Sequence, residues 1–158
     1  MEIPSSLDWR KKGKVPPVKY QGQCGSTWAF TVTDFIESQW LIKKEKLKLF
    51  STQQLIDFDD ENKNVPIPCT GGFNRNYLKY KEKYGIESEE KYPMTPYGGK
   101  CEYKSEFVEA NVSDINYTQE IDKDLLKKYL NEIGPLALLV DASDFQMYTS
   151  GILKCKTN

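Results

Sequence analysis

The strongest hydrophobic pattern along the chain begins after residue 26. Four apolar side chains recur at every fourth position and three more lie beside them: Trp28, Val32, Ile36 and Trp40, with Ala29, Phe35 and Leu41. A spacing of about three to four residues places side chains on one face of an α-helix. The pattern therefore predicts a long helix that starts near Ser26, buries a broad face and forms the centre of the fold.

Further segments carry shorter helical patterns. Ser51 and Gln54 form a capping box ahead of an apolar run, which predicts a short second helix. A third helix is predicted over residues 74–84, because Gly85 supplies a C-terminal stop. Apolar residues at helical spacing predict another helix over residues 122–133.

Breaker residues divide these helices from the rest of the chain. Gly134 and Pro135 end the last helix, and the apolar run at residues 136–140 predicts a buried strand. Residues 3–23 are rich in Pro, Gly and Lys and predict an extended arm that leads into a turn. Residues 87–104 predict an irregular connection between two halves of the molecule.

The charge balance argues against two classes of partner. Lysine and arginine total 22 against 23 aspartate and glutamate residues, a formal net charge of −1. Without a strong positive field, neither nucleic acid nor a membrane surface is expected as a partner. No apolar run reaches the roughly eighteen residues that span a bilayer, and no signal peptide follows Met1. We expect a soluble chain, whose 158 residues suit one domain by length alone.

Cysteine usage bears on metal binding and on compartment. The chain has four widely spaced cysteines: Cys24, Cys69, Cys101 and Cys155. Because they form no CxxC pair and the chain has no histidine, neither a metal site nor a cofactor is expected. The even count is compatible with two disulfides. Asn111 and Asn116 each begin a glycosylation sequon, and together these features favour a secreted or lysosomal setting.

One short segment carries the candidate chemistry, at the predicted start of the long helix. Residues 21–30 read Gln-Gly-Gln-Cys-Gly-Ser-Thr-Trp-Ala-Phe. This segment resembles the nucleophile motif of papain-like cysteine proteases, in which a glutamine donates to the oxyanion and a cysteine opens the central helix. Free N–H groups and the macrodipole at a helix N-terminus favour a thiolate. By this resemblance Gln21 is the oxyanion residue and Thr27 occupies the nucleophile position.

Matches to the same family occur in order along the chain. They are Ile3-Pro4, Leu7-Asp8-Trp9-Arg10, Cys69-Thr70-Gly71-Gly72, Lys91-Tyr92-Pro93, Asp144-Phe145-Gln146-Met147-Tyr148 and Ser150-Gly151-Ile152. The resemblance is nearest to cathepsin L-like members and implies an α+β, papain-like two-domain fold with the site in the cleft between domains. It implies a helical left domain with an N-terminal arm over residues 1–106. An incomplete antiparallel β-barrel right domain is expected over residues 107–158, because the chain is C-terminally truncated relative to the family.

The resemblance also implies a set of site residues. The substrate groove is expected to include Gly25, Ser26, Gly71, Gly72, Phe73, Asn74 and Leu139. The alternative is that the glycines serve only a turn and that the apolar pair belongs to the core, where Trp28 is also expected. Cys24 and Cys69 match a family disulfide, worth about 4 kcal/mol on a chain-entropy estimate. The other two cysteines are expected to be unpaired, because Phe58 replaces one partner and the second partner would follow the last residue.

Departures from the family pattern predict that the chain is catalytically inactive. A threonine hydroxyl is a much weaker acid than a thiol, and the chain has no histidine to act as base. An N-terminal-threonine mechanism is disfavoured because Thr27 is internal. Two acidic clusters offer paired carboxylates, but we expect them to be solvated loops: residues 59–61, and Glu87, Glu89 and Glu90.

Three functions stay open at this stage. The leading hypothesis is an inactive homologue whose cleft still binds a peptide, a pro-segment or a protein inhibitor. The second is a fragment or disarmed form of a papain-like or cathepsin L-like endopeptidase. The third is a structural scaffold derived from a protease. Because the right domain is incomplete, a complementing chain or a swapped dimer is a further expected partner.

Overall fold

The computed structural model describes residues 3–58, 69, 83–96, 98–113, 118 and 122–154. Within these ranges the elements follow in this order: α1 Thr27–Lys44, α2 Gln53–Ile56, β1 Ile86–Glu87, β2 Val108–Ala110 and α3 Lys123–Glu132. One turn of 3-10 helix over Ser105–Phe107 leads into β2. Helices combined with a small antiparallel sheet give the expected α+β class.

The predicted central helix is confirmed as α1, which runs for 18 residues from Thr27. It ends at Glu45, whose φ of 55° is left-handed and whose N–H donates to the carbonyl of Leu41. Two lysines occupy the last turn, where positive charge complements the negative end of the helix dipole. The arm over residues 3–23 contains no helix or strand, as its composition predicts.

The apolar face of α1 packs into two hydrophobic clusters. The first consists of Cys24, Trp28, Ala29, Leu55 and Ile56. The second consists of Ile36, Phe50, Ile86 and Ala110. Trp28 is 7% exposed and belongs to the core, as expected. Burial of each large apolar side chain contributes about 1.5–3 kcal/mol, so these clusters fix α1 against both α2 and the sheet.

The sheet was missed in the sequence analysis. β1 and β2 pair antiparallel, with Ile86 opposite Ala110 and Glu87 opposite Val108. The irregular connection therefore begins after Glu87 rather than at it. β2 lies beyond residue 106 yet packs in the second cluster with α1. The division of the chain at residues 106 and 107 stays a prediction.

The shorter helices keep their predicted places. α2 follows Ser51, whose Oγ accepts a 2.9 Å hydrogen bond from the N–H of Gln54. α3 follows Asp122, whose carboxylate accepts from the first backbone N–H groups of the helix. The helix predicted over residues 74–84 lies largely outside the described ranges, of which residues 83 and 84 are helical and precede Gly85 at φ 72°.

The prediction of a buried strand at residues 136–140 is wrong. The structure has no strand there, and Leu138, Leu139 and Val140 are 53%, 89% and 56% exposed. A strand needs a neighbour to receive its backbone hydrogen bonds, and no described segment pairs with this one. The alternative interpretation of Leu139 as a core residue is wrong for the same reason.

The acidic cluster around β1 is not a solvated loop. Glu87 is 1% exposed and accepts a backbone hydrogen bond of 2.9 Å. Glu89 is half-buried, and desolvation raises its pKa although backbone hydrogen bonds oppose the shift. Glu90 is exposed as expected, and residues 59–61 lie outside the described ranges. The carboxylates of Glu87 and Glu89 therefore take part in the packing of the chain around β1.

α3 contacts both the arm and α1. Trp9 Nε1 donates to the carbonyl of Leu130 at 2.9 Å, and Gln39 Nε2 donates to the carbonyl of Ile133 at 3.1 Å. Gly134 has φ 127°, and a Cβ added there would lie 2.5 Å from a methyl group on α1, so this close approach requires glycine. No helix in the described ranges is long and apolar enough to cross a membrane.

Candidate functional site

The candidate site is built on the N-terminus of α1. Thr27 is the first helical residue and its side chain is exposed. Ser26 precedes it as N-cap, and its carbonyl accepts from the N–H groups of Ala29 and Phe30 at 2.8 and 3.2 Å. The motif therefore places Thr27 where a helix presents backbone donors and partial positive charge.

A disulfide anchors the chain just before α1. Cys24 and Cys69 are bonded, which confirms the pairing implied by the family resemblance. Beside it, the N–H of Gly25 donates to the carbonyl of Cys69 at 2.8 Å. The Cys24 carbonyl in turn accepts from the N–H of Ser26 at 2.8 Å. The disulfide and these hydrogen bonds thus fix residues 24–26, which lead into α1.

The structure brings Gln21 and Thr27 into direct contact. Thr27 Oγ1 lies 2.9 Å from Gln21 Oε1, and Gln21 Nε2 lies 2.8 Å from the carbonyl oxygen of Cys24. The Cys24 carbonyl was missed in the sequence analysis, because a backbone oxygen leaves no signal in residue type. An amide oxygen is not a base at neutral pH, so this bond orients the Thr27 hydroxyl without removing its proton.

Two of the predicted groove residues, Gly25 and Ser26, directly precede Thr27. Ser26 is fully buried and Gly25 is half-buried. Leu139 is exposed in the segment after α3. Four further groove residues lie outside the described ranges: Gly71, Gly72, Phe73 and Asn74.

The other predicted site residues do not lie at the N-terminus of α1. Cys101 is a free, half-buried thiol, as expected from the loss of its partner at Phe58. Asn111 is exposed, and its glycosylation stays a prediction. Cys155 and Asn116 lie outside the described ranges. Among the residues that the structure does describe, no group of three or more Cys, Asp or Glu side chains is placed to hold a metal ion.

A hydrogen-bond network joins Asp57 and Tyr92 to the segment around Cys101. Asp57 accepts from Tyr92 Oη at 2.9 Å and from the N–H of Gly99 at 2.5 Å. The same tyrosine oxygen accepts from the N–H of Glu102 at 3.0 Å. Burial raises the pKa of Tyr92, and its bond to Asp57 adds to that shift. These contacts tie the segment around residue 100 to the end of α2.

A buried ion pair beside α1 was also missed. Lys19 Nζ lies 2.6 Å from Glu37 Oε1 and 3.0 Å from Asp34 Oδ1. Glu37 is fully buried, and the N–H of Phe50 donates to the same Oε1 at 2.9 Å. Burial raises the pKa of Glu37, and Lys19 opposes that shift. The available signal was a carboxylate adjoining Ile36 on the buried face of a predicted helix.

Comparisons with known proteins agree with this architecture. The chain matches the family model of the papain family cysteine proteases over residues 3–158. Mouse procathepsin L is 41% identical over 155 residues, which cover 96% of this chain and 46% of the mouse protein. Mouse testin-2 is 40% identical over 153 residues, which cover 95% of this chain and 45% of that protein. The chain thus spans about half the length of the curated relatives it matches.

Solved structures give the same result for the backbone. The digestive procathepsin L2 proteinase from Tenebrio molitor larval midgut superposes with a TM-score of 0.88 at 36% identity, over 99% of this chain and 50% of that one. The digestive procathepsin L 3 of the same tissue superposes with a TM-score of 0.73 at 32% identity, over 84% of this chain and 43% of that one. The expected papain-like fold and its cathepsin L-like character are therefore confirmed. The chain belongs to the papain family of cysteine proteases.

Proposed function

We propose that this chain is a catalytically inactive member of its family that binds a peptide, a pro-segment or a protein inhibitor without cutting it. In this proposal Thr27 replaces the nucleophilic cysteine and Gln21 keeps the position of the oxyanion residue. The observation that carries the proposal is the place of Thr27 as the first residue of α1, with its hydroxyl bonded to an amide oxygen.

The acidity of the hydroxyl supports inactivity. A cysteine thiol ionises near pH 8.5 and lower at a helix N-terminus, whereas a threonine hydroxyl needs a strong, positioned base. The 158 residues contain no histidine. The one group bonded to the Thr27 hydroxyl in the described ranges is the Gln21 amide oxygen, which does not accept a proton at neutral pH.

A second candidate function is proteolysis. In that case the chain is a fragment, or a disarmed form, of a papain-like or cathepsin L-like endopeptidase. The chain spans about half the length of mouse procathepsin L, so residues outside these 158 would supply the remainder of such an enzyme. The 41% identity to this procathepsin is the specific observation that favours the second candidate. A protease-derived structural scaffold is the third candidate, and peptide affinity distinguishes it from the first.

We also propose a cellular setting and further partners. We propose a secreted or lysosomal location, where the Cys24–Cys69 disulfide would persist. A complementing chain that covers the exposed segment after α3 is a further proposed partner. The proposed groove includes Gly25 and the residues around Gly71 and Gly72.

The experiment that tests the proposal compares three proteins: the natural chain, Thr27→Cys and Thr27→Ser. Each is treated with a fluorogenic dipeptide substrate and a thiol-reactive epoxide, alone and with a family-like C-terminal segment that contains histidine. We expect the natural chain and Thr27→Ser to be silent throughout. We expect Thr27→Cys to be labelled in the presence of the added segment, since only then are thiol and base both present. Peptide binding is followed in parallel by fluorescence anisotropy.

Each outcome decides between the candidates. Hydrolysis by the natural chain would overturn inactivity. Absence of labelling in folded Thr27→Cys with the added segment would show that the cleft geometry is lost. Peptide affinity without hydrolysis supports the binding role, whereas stable protein without peptide affinity favours the scaffold.

A further inference from the structure

The orientation of the Gln21 side chain is fixed by the backbone of Cys24. A carbonyl oxygen only accepts hydrogen bonds, so the end of the amide that lies 2.8 Å from the Cys24 oxygen is its NH2 group. The Cys24 carbonyl is itself held in place, because its residue is disulfide-bonded to Cys69 and it accepts from the N–H of Ser26. The donor end of Gln21 is therefore directed to a rigid acceptor.

The acceptor end of the same amide is directed to Thr27. Gln21 Oε1 has only lone pairs to offer, so at 2.9 Å the Thr27 hydroxyl is the donor. Rotating the amide by half a turn would place two oxygens 2.8 Å apart at Cys24, which is repulsive. Each end of the amide thus has one compatible partner, and the two bonds reinforce a single orientation.

Thr27 is well suited to hold this contact. A β-branched side chain has few χ1 rotamers in a helix, so its hydroxyl loses little freedom when it bonds to Gln21. The Thr27 backbone is fixed at the same time, because its carbonyl accepts from Thr31 Oγ1 at 2.8 Å. A thiol is a weak hydrogen-bond donor and would hold the amide oxygen less firmly.

We propose that Thr27 is a positioning residue that locks the Gln21 amide with its N–H groups turned to Cys24 and its oxygen turned to the N-terminus of α1. In this state the Gln21 oxygen and one of its two N–H groups are bonded within the protein, and the second N–H is held in a fixed direction. The inference rests on the proposed function, since that assigns Gln21 to the oxyanion position. It adds that the threonine at residue 27, which cannot act as the thiol nucleophile, also restrains the side chain at the oxyanion position.

The test measures the order of the Gln21 side chain in the folded, 15N-labelled chain. The NH2 signals are assigned by their loss in Gln21→Glu. Thr27→Val keeps the shape of threonine but lacks the hydroxyl, and Thr27→Ser keeps the hydroxyl but lacks the methyl group. We expect an order parameter above about 0.8 in the natural chain and Thr27→Ser, and below about 0.6 in Thr27→Val. A merely structural role of Thr27 would not separate these two variants.

Either of two results overturns the lock. One is an unchanged order parameter in folded Thr27→Val, and the other is a Gln21 amide that is already mobile in the natural chain. Thr27→Ala serves as a second hydroxyl-free variant if Thr27→Val does not fold.

A separate titration keeps the lock distinct from the proposed function. An acetylated dipeptide amide is titrated into the natural chain and into Thr27→Val. We expect about five-fold weaker binding by the variant, because its mobile Gln21 side chain must be ordered before its second N–H can donate to the ligand carbonyl. Peptide binding by neither protein, with the expected order parameters, overturns the binding role and leaves the lock standing. Equal binding by both proteins contradicts the lock.

Discussion

At the scale of single residues, the fold buries a charged side chain that the hydrophobic pattern did not predict to be buried. Glu37 is fully buried on α1 and is bonded to Lys19 and to the N–H of Phe50. Its second carboxylate oxygen is buried without a hydrogen-bond partner among the described residues. The ion pair between Lys19 and Glu37 therefore joins the arm to α1.

The pH dependence of stability follows from the direction of the Glu37 pKa. Burial raises this pKa above its ordinary value of 4.5, and the Lys19 ammonium opposes the rise. A group whose native pKa is raised contributes stability that is fully present below the unfolded pKa. That contribution is lost as the pH rises through the native pKa. Removal of Lys19 moves the native pKa further in the same direction.

We therefore predict that Lys19→Met destabilises the protein most at neutral pH. An ionised Glu37 is then buried without its partner, which costs about 3–5 kcal/mol. The loss shrinks as the pH falls through the raised pKa of Glu37, because the carboxyl group takes up a proton and no charge is left unpaired. Urea unfolding at neutral and at acidic pH measures both values.

Lys48→Met is the matched control for this experiment. Lys48 pairs with Glu109 at 2.6 Å, but both side chains are partly exposed at 30% and 37%. Water replaces the lost partner at such a site, so the cost is about 0–1 kcal/mol at either pH. Equal losses for the two lysine variants, or a loss for Lys19→Met that does not change with pH, would contradict the assignment.

At the scale of elements, one side chain joins α2 to the sheet. The capping box predicted at α2 is half formed, because Ser51 bonds to the N–H of Gln54. The Gln54 side chain does not return to its own helix. Its Oε1 accepts from the N–H of Glu87 at 2.9 Å, so it supports β1 instead.

We predict that Gln54→Leu weakens β1 without unfolding the protein. The buried N–H of Glu87 loses its acceptor, which costs about 1–3 kcal/mol. Hydrogen exchange of the Glu87 amide should accelerate by about five-fold or more. Gln39→Leu is the control, since its bond to the carbonyl of Ile133 is exposed and water can replace it. Unchanged protection of Glu87 would show that Gln54 does not carry β1.

The elements differ in how well their sequence foretells them. α1 and α3 were predictable because each contains its own periodic apolar face, and Gly134-Pro135 marks the end of α3. β1 and β2 have two and three residues, too few for a visible alternation. Residues 136–140 resembled a strand because a continuous apolar sequence indicates burial. Such a sequence does not show which element the segment would pack against. At the site, the motif anticipated the neighbouring positions of Gln21 and Thr27, whereas the Cys24 carbonyl has no signature in residue type.

At the scale of the whole molecule, the segment after α3 exposes several large apolar side chains. Its most exposed members include Leu139, Met147 and Ile152, at 89%, 87% and 94% exposure. Several apolar side chains exposed within one short segment are typical of an interface or of an association-prone surface.

We predict that the purified chain of these 158 residues self-associates through this segment. The pair of substitutions Leu139→Lys and Met147→Lys should shift sedimentation velocity profiles towards monomer, because each replaces an apolar contact with a charge. Leu47→Lys, a substitution just after α1, should leave the profile unchanged. A monomeric natural chain, or equal effects of the two sets of substitutions, would contradict this prediction.

The disulfide before α1 has a consequence for the redox state of the site. The Cys24 carbonyl accepts a hydrogen bond from the Gln21 amide, and the Cys24 sulfur is bonded to that of Cys69. Thiols stay reduced in the cytosol and oxidise along the secretory route. The same polypeptide therefore presents an N-terminus of α1 held by a covalent clamp in one compartment and by hydrogen bonds alone in the other. Exposure to reductant becomes a chemical means of changing the orientation of Gln21, because it releases the residue whose carbonyl holds the amide.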